Sequence, residues 1–81
     1  MDIKTEVRNF LIDNFMMGLD PGELADRDSL LDKGIVDSTG VLELVGFLEE
    51  NFEIKIEDED LIPENLDSVD KIVAYVNKKQ S

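Results

Sequence analysis

The strongest constraint on the fold is the helical periodicity of residues 38–52. Apolar side chains recur there at intervals of three or four residues, which places them on one face of a helix. They are Val41, Leu44, Val45, Leu48 and Phe52. Small and acidic side chains occupy the opposite face, namely Thr39, Glu43, Gly46 and Glu50. The pattern predicts an amphipathic helix that buries its apolar face and exposes an acidic one.

Three further segments are predicted to be helical, which makes the chain all-α. They lie near residues 2–17, 57–62 and 68–78. The first and the last carry an apolar stripe of the same kind, whereas the short middle segment gives one turn that Pro63 ends. Together with residues 38–52, these segments predict a small four-helix bundle in which consecutive helices run up and down.

A long loop joins the first two predicted helices and runs from Gly18 to about Asp37. It contains glycine and proline and no helical stripe longer than one turn. Apolar residues nevertheless recur along it, at Leu24, Leu30, Leu31, Ile35 and Val36. We expect the loop to pack across one end of the bundle through Leu30, Leu31 and Ile35.

The composition excludes most forms of self-sufficient catalysis. The 81 residues include no cysteine and no histidine, so thiol nucleophiles, thiolate metal sites and Ser-His-Asp triads cannot form. A chain of this length allows one domain, residues 1–81, and 42% apolar residues suffice for a folded core. Neither a membrane span nor a signal peptide is evident. We expect a cytoplasmic monomer that is not an enzyme.

Acidic residues outnumber basic ones and concentrate in one stretch. Aspartate and glutamate number 20 against 8 lysines and arginines, which gives a net charge of −12. Residues 34–70 hold 12 of these acids and a single base, Lys55. Such a field repels phosphate backbones and anionic lipids and favours encounters with basic proteins. Nucleic acid and membranes are therefore not expected partners, although the stretch could also serve solubility alone.

A specific calcium loop is not predicted despite the acidity. The EF-hand pattern requires glycine at its sixth position. Counting from Asp32, that position is Asp37, and counting from Asp58 it is Pro63. The carboxylate pairs of the acidic stretch lack an apolar surrounding that would raise a pKa for acid–base work. No metal ligand set is predicted, and loose association of divalent ions is left open.

Asp37 and Ser38 stand where the long loop meets the most amphipathic helix. Either residue could be an ordinary N-cap. The same helix end has positive dipole character and unpaired N–H groups, so it would also stabilise a phosphodiester attached to Ser38. Asp67 and Ser68 form a second Asp-Ser pair before a helix, without the preceding glycine and with lysines at the helix end. Ser68 is therefore predicted to be a cap only.

Residues 3–79 resemble the acyl carrier protein family, also called phosphopantetheine-binding or peptidyl carrier domains. The resemblance is carried by the run from Gly34 to Leu44, which reads GIVDSTGVLEL, and by the segments 48–54 and 72–76. Fatty-acid carriers usually continue Asp-Ser with leucine and an acidic residue. Here Thr39 and Gly40 follow, which is more similar to D-alanyl carrier proteins and other stand-alone aminoacyl carriers.

The resemblance implies that a phosphopantetheinyl transferase attaches a 4′-phosphopantetheine arm to Ser38, beside Asp37. Acyl or aminoacyl groups would then be held as thioesters and presented by the carrier to loading ligases and acyl-transferring enzymes with basic docking patches. Because the chain has no cysteine, the thiol must come from this cofactor. The implied partner-binding residues are Thr39, Glu43, Gly46, Glu49 and Glu50. The alternatives are an unmodified acidic protein–protein interaction module and a divalent-ion buffer.

Overall fold

The computed structural model describes residues 2–16, 22 and 24–80, and within them it is all-helical. The α-helices are α1 (Ile3–Phe15), α2 (Ser38–Phe52), α3 (Pro63–Leu66) and α4 (Val69–Gln80), and a 3₁₀ turn spans Asp58–Asp60. The predicted all-α class and small helical bundle are confirmed. Among these described helices, none combines the length and apolarity that crossing a membrane requires.

The long helices follow the sequence pattern closely. The bounds of α2 are those predicted from its periodicity. Helix α1 begins one residue later than predicted, because Asp2 acts as its N-cap and accepts a hydrogen bond from the Lys4 amide. Helix α4 continues to Gln80, two residues beyond the predicted end, and Lys78 and Lys79 in its last turn suit the negative end of the helix dipole. Residue 17, the predicted end of α1, lies outside the described residues.

The predicted helix at residues 57–62 was wrong. The chain forms only a 3₁₀ turn at Asp58–Asp60, and Pro63 begins the short helix α3 instead of ending one. Proline suits the first helical position because the N–H that it lacks would have no partner there. Tyr75 of α4 holds the 3₁₀ turn by donating its hydroxyl to Asp60 Oδ2 at 2.7 Å. Burial, followed by this hydrogen bond, raises the pKa of the Tyr75 phenol.

The core lies where α4 packs against α1 and α3, and one face of α2 adds buried side chains to it. The large side chains that it encloses completely come from all three long helices and from the loop, namely Val7, Leu11, Leu30, Leu44, Leu48, Val69, Ile72 and Val76. Burying a side chain of this size contributes about 1.5–3 kcal/mol relative to leaving it exposed. The apolar stripes of the sequence therefore point inward as predicted.

The loop before α2 is anchored by some of its predicted apolar residues and not by others. Leu24, Leu30 and Val36 are buried, and Ile35 is half-buried. Leu31 is 44% exposed, so the prediction that it packs the loop across the end of the bundle was wrong. The backbone N–H of Leu31 donates to a carboxylate oxygen of Asp67, which fixes this residue at the surface while Leu30 points inward.

The described start of the loop is tied to α1 and α4 through Asp26. Arg8 Nη1 donates to Asp26 Oδ1 at 2.7 Å and to the carbonyl of Leu24 at 2.9 Å. Lys4 pairs with the other carboxylate oxygen, and the Asp70 amide donates to the Asp26 carbonyl at 2.9 Å. Hydrogen bonding to Lys4 lowers the pKa of Asp26, and the same pair raises the pKa of Lys4. These contacts fix the path by which the loop reaches α2.

Candidate functional site

Ser38 is the first residue of α2, and its side chain is exposed. The N-cap is the preceding residue, Asp37, whose Oδ1 accepts a hydrogen bond from the Gly40 amide at 2.6 Å. The Asp37 carbonyl also accepts from the Val41 amide at 2.9 Å. Of the two residues predicted as possible caps, Asp37 therefore has this role. The Ser38 hydroxyl is left on the surface of the helix end.

The end of α2 suits an attached anionic group. A helix of 15 residues carries partial positive charge at its N-terminus, from amides that lack intrahelical partners. Asp37 occupies the Gly40 amide, while Ser38 and Thr39 are both exposed. A phosphodiester on the Ser38 oxygen would be close to this positive end without displacing any buried side chain.

Gly40 allows the first turn of α2 to approach α1 closely. The residue is buried, and a Cβ atom added to it would lie 2.9 Å from Cε1 of Phe15. Such a distance is shorter than carbon atoms tolerate. Gly40 thus lets Phe15 lie against the first turn of α2 without either of them shifting.

An apolar cavity of about 80 Å³ has walls from residues on both sides of Ser38 in the sequence. Val41, one helical turn after Ser38, lines it together with Val36 of the loop. The other walls come from the loop and from the region around α3, namely Leu30, Leu31, Leu61, Ile62 and Leu66. Leu31 and Ile62 are 44% and 43% exposed, so part of the apolar wall is open to solvent.

Asp67 joins the two sides of this cavity, a role that the sequence analysis missed. Its Oδ2 accepts the Ser29 hydroxyl at 2.6 Å, and its Oδ1 accepts the Leu31 amide at 3.0 Å. Its carbonyl accepts the Leu30 amide at 2.7 Å. These contacts, which we call the Asp67 cluster, hold the loop against the start of α4. Their partners are 36 to 38 residues apart in sequence, so no local pattern could have indicated them.

The second Asp-Ser pair is structural. Ser68 is 3% exposed, and its hydroxyl oxygen accepts a hydrogen bond from the Lys71 amide at 3.1 Å. This contact confirms that Ser68 caps α4. Its burial also separates it from Ser38, because an enzyme cannot reach a hydroxyl at this depth in the folded chain.

The predicted partner-binding residues share the outer surface of α2, with one difference among them. Thr39, Glu43, Gly46 and Glu50 are exposed. Glu49 is half-buried, and its Oε2 accepts the Ile56 amide at 2.9 Å, so it also fixes the connection after α2.

Leu42 is an exposed apolar residue on the same surface that the sequence analysis overlooked. It is 64% exposed, more than any other large apolar residue among those described. Thr39 and Gly46 lie three residues before it and four after it, which places all three on one side of the helix. The signal was present in the sequence, since Leu42 lies outside the apolar stripe of the predicted helix.

Among the described residues, the acidic side chains do not gather into a candidate metal site. In the part of the chain that the structure describes, no three or more carboxylates come close enough together to hold a metal ion. The divalent-ion buffer therefore gains no support from the described residues.

Comparison with known proteins identifies the family. Residues 16–76, which include all of α2, match the family model described as "Phosphopantetheine attachment site". The chain is also 33% identical over 79 residues to a protein of Bdellovibrio bacteriovorus named "Acyl carrier protein", covering 98% of this chain and 96% of that protein. The covalent cofactor of this family is phosphopantetheine, and its members are carriers and not enzymes. The chain therefore belongs to the phosphopantetheine-binding family of acyl carrier proteins.

Proposed function

We propose that this carrier protein bears its 4′-phosphopantetheine arm on Ser38 and holds acyl or aminoacyl groups on that arm as thioesters. The observation that carries the proposal is the exposed Ser38 hydroxyl at the positive end of α2, directly after the residue that caps the helix. The cofactor supplies the thiol that the chain lacks, because the sequence contains no cysteine.

The attachment step is a phosphoryl transfer from coenzyme A. The Ser38 oxygen forms a bond to the phosphorus that bears pantetheine, and the hydroxyl proton passes to a base of the transferase. The pyrophosphate bond breaks, and adenosine 3′,5′-bisphosphate leaves. The carrier contributes an accessible hydroxyl and a helix end that favours the phosphodiester charge. Its own residues need not supply a base, which agrees with the absence of histidine.

The cavity lined by Val36 and Val41 favours an apolar cargo. Its lining is aliphatic apart from Asp67, whose two carboxylate oxygens already accept hydrogen bonds. The ammonium group of an aminoacyl cargo would lose its hydration there without gaining a dedicated partner. Acyl groups are therefore the better fit to the cavity, while an aminoacyl group would keep its ammonium in solvent.

We assign the docking of the transferase and of acyl-handling enzymes to the outer surface of α2. Glu43 and Glu50 provide exposed negative charge, and Leu42 provides an apolar contact between the two ends of this surface. Thr39 and Gly46 flank Leu42 and leave room for a partner side chain, since nothing lies within 4 Å of a Cβ added to Gly46. Glu49 adds a further carboxylate to this surface, and one of its oxygens accepts the Ile56 amide.

Incubation with coenzyme A and a broad-specificity phosphopantetheinyl transferase tests the attachment residue. We expect the intact mass to rise by one phosphopantetheine. The rise should disappear in Ser38→Ala and persist in Ser68→Ala, a matched control in which the second Asp-Ser pair is changed. No mass gain in the wild type would reject the proposal in favour of an unmodified acidic interaction module.

Charge reversal tests the docking surface. Glu43→Lys with Glu50→Lys should slow modification of Ser38 while leaving the fold intact, because exposed charge mainly raises the rate of encounter. Salt should slow the wild type more than the double variant, since it screens such charges over roughly 8–10 Å. Equal rates for the two proteins at low salt would show that the acidic surface serves only solubility.

A further inference from the structure

Phe15, the last residue of α1, lies against Gly40 in the first turn of α2. A Cβ atom on residue 40 would be 2.9 Å from Cε1 of Phe15, 3.2 Å from Oδ1 of Asp37 and 3.3 Å from Cγ1 of Val36. The ring of Phe15, the cap of α2 and the end of the loop therefore meet at Gly40, two residues after Ser38. The glycine is what allows all three to occupy their positions.

The ring of Phe15 also packs against another aromatic side chain. It makes an edge-on contact with Phe10, with centroids 5.8 Å apart. Phe10 in turn stacks on Phe47 of α2, with centroids 4.2 Å apart and planes at 15°. Since these half-buried rings support one another, a group added at position 40 would displace the first turn of α2 as well as the Phe15 ring.

Displacement of that turn would also move Ser38, which belongs to it. The same Asp37 oxygen that would lie 3.2 Å from the added Cβ accepts the hydrogen bond from the Gly40 amide at 2.6 Å. Asp37 is the residue before Ser38, and Val36 lines the adjacent cavity. A shift of either residue changes where the Ser38 hydroxyl stands relative to the helix end.

We propose that the contact between Phe15 and Gly40 sets the position of the Ser38 hydroxyl, so that Phe15 is a positioning residue for its modification. The inference rests on the proposed function, because it concerns the same hydroxyl. It adds that the end of α1, outside the docking surface of α2, determines how well the transferase can align its substrate.

A comparison of Gly40→Ala in two backgrounds tests this proposal. In the otherwise wild-type chain, Gly40→Ala should lower the kcat of the transferase for the carrier about tenfold, because misalignment of reacting groups by fractions of an ångström is costly. In a Phe15→Leu background, which provides space for the added methyl group, most of that loss should disappear. Asn9→Ala, which changes an exposed residue of α1, is the control and should leave kcat unchanged.

The division between kcat and KM separates positioning from loss of structure. The carrier is the substrate in this assay, so partial unfolding lowers the concentration of competent substrate and raises the apparent KM. Misplacement of the hydroxyl in a folded carrier lowers kcat. Amide hydrogen exchange at residue 40 gives a second readout without the transferase, and it should be faster in Gly40→Ala than in Phe15→Leu combined with Gly40→Ala.

The outcomes distinguish this inference from the proposed function. Failure of the wild type to be modified would overturn both. A modified wild type whose kcat is unchanged by Gly40→Ala, or is lowered equally in the two backgrounds, would overturn the role of Phe15 alone. A change confined to KM would likewise reject positioning, since it would indicate a loss of folded substrate.

Discussion

The hydrogen bond between Ser29 and Asp67 should contribute measurably to stability, because it ties the loop to the start of α4 across 38 residues of sequence. Ser29→Ala removes the 2.6 Å bond to the Asp67 carboxylate and also the bond that the Ser29 hydroxyl oxygen accepts from the Asp32 amide at 3.1 Å. A bond to a charged group contributes about 1.5–3 kcal/mol and a neutral one about 0.5–1.5 kcal/mol. Because both bonds are partly or fully exposed, we expect the bottom of the summed range, about 2 kcal/mol in total.

Urea unfolding of a double-mutant cycle measures this contribution. Ser29→Ala and Asp67→Ala should each lower the free energy of unfolding. The double variant should be worse than Asp67→Ala alone only by the bond between Ser29 and the Asp32 amide, about 0.5–1.5 kcal/mol. A loss of 1 kcal/mol corresponds to a fall in Tm of about 4–8 °C for a domain of this size. The Leu31 amide, which donates to Asp67, should also exchange faster with solvent in Asp67→Ala. Strictly additive losses, with unchanged exchange at Leu31, would refute the role given to the Asp67 cluster.

Three further predictions concern stability. Gly46→Ala should raise the free energy of unfolding by about 0.5–1 kcal/mol, because helical glycine is costly and the added Cβ meets no atom within 4 Å. A lower free energy of unfolding in urea would contradict the open space around Gly46. Glu53 follows the last residue of α2 with φ 55°, so Glu53→Gly should be stabilising by about 1 kcal/mol through relief of the left-handed strain. A lower unfolding midpoint would show that the Glu53 side chain makes a compensating contact. The hydrogen bond with Lys4 lowers the pKa of Asp26. The stability lost in Asp26→Asn should therefore be largest above about pH 4 and shrink as the pH falls through the lowered pKa of the folded state. A stability loss that grows on acidification would contradict this account.

Local patterns predicted the elements that depend on local physics. The bounds of α2 followed from its apolar stripe, and the structure has the same bounds. A cap at either Asp37 or Ser38 was expected, and Asp37 is the residue that caps the helix. The capping role of Ser68 followed from its place before an apolar helix. In each case, the decisive interaction joins residues that are close together in the sequence.

The errors arose where the sequence permitted two conformations. Pro63 can follow a helix or begin one, and contacts such as that of Tyr75 with Asp60 favour the second arrangement. Leu31 has the same apolar character as Leu30, and the distant residue Asp67 holds the backbone of both, with Leu30 buried and Leu31 exposed. Contacts over such separations cannot be derived from the spacing of residues in one segment.

The candidate site was predictable only where it depends on residues close together in the sequence. Ser38 and the acidic residues of α2 could be found from helix geometry and from the family resemblance. The cavity could not, because its walls come from the loop, α2 and the region around α3. The contact of Phe15 with Gly40 was also hidden, since the sequence shows a glycine and only the packing shows what fills the space beside it.

Thiol titration before and after treatment with coenzyme A and the transferase tests the central claim most directly. The chain contains no cysteine, so the untreated protein must give no thiol signal. The account predicts one thiol per chain after the purified product is freed of coenzyme A, and none in Ser38→Ala treated in the same way. A wild type that remains without a thiol, or a Ser38→Ala variant that gains one, would contradict the assignment of the arm to Ser38.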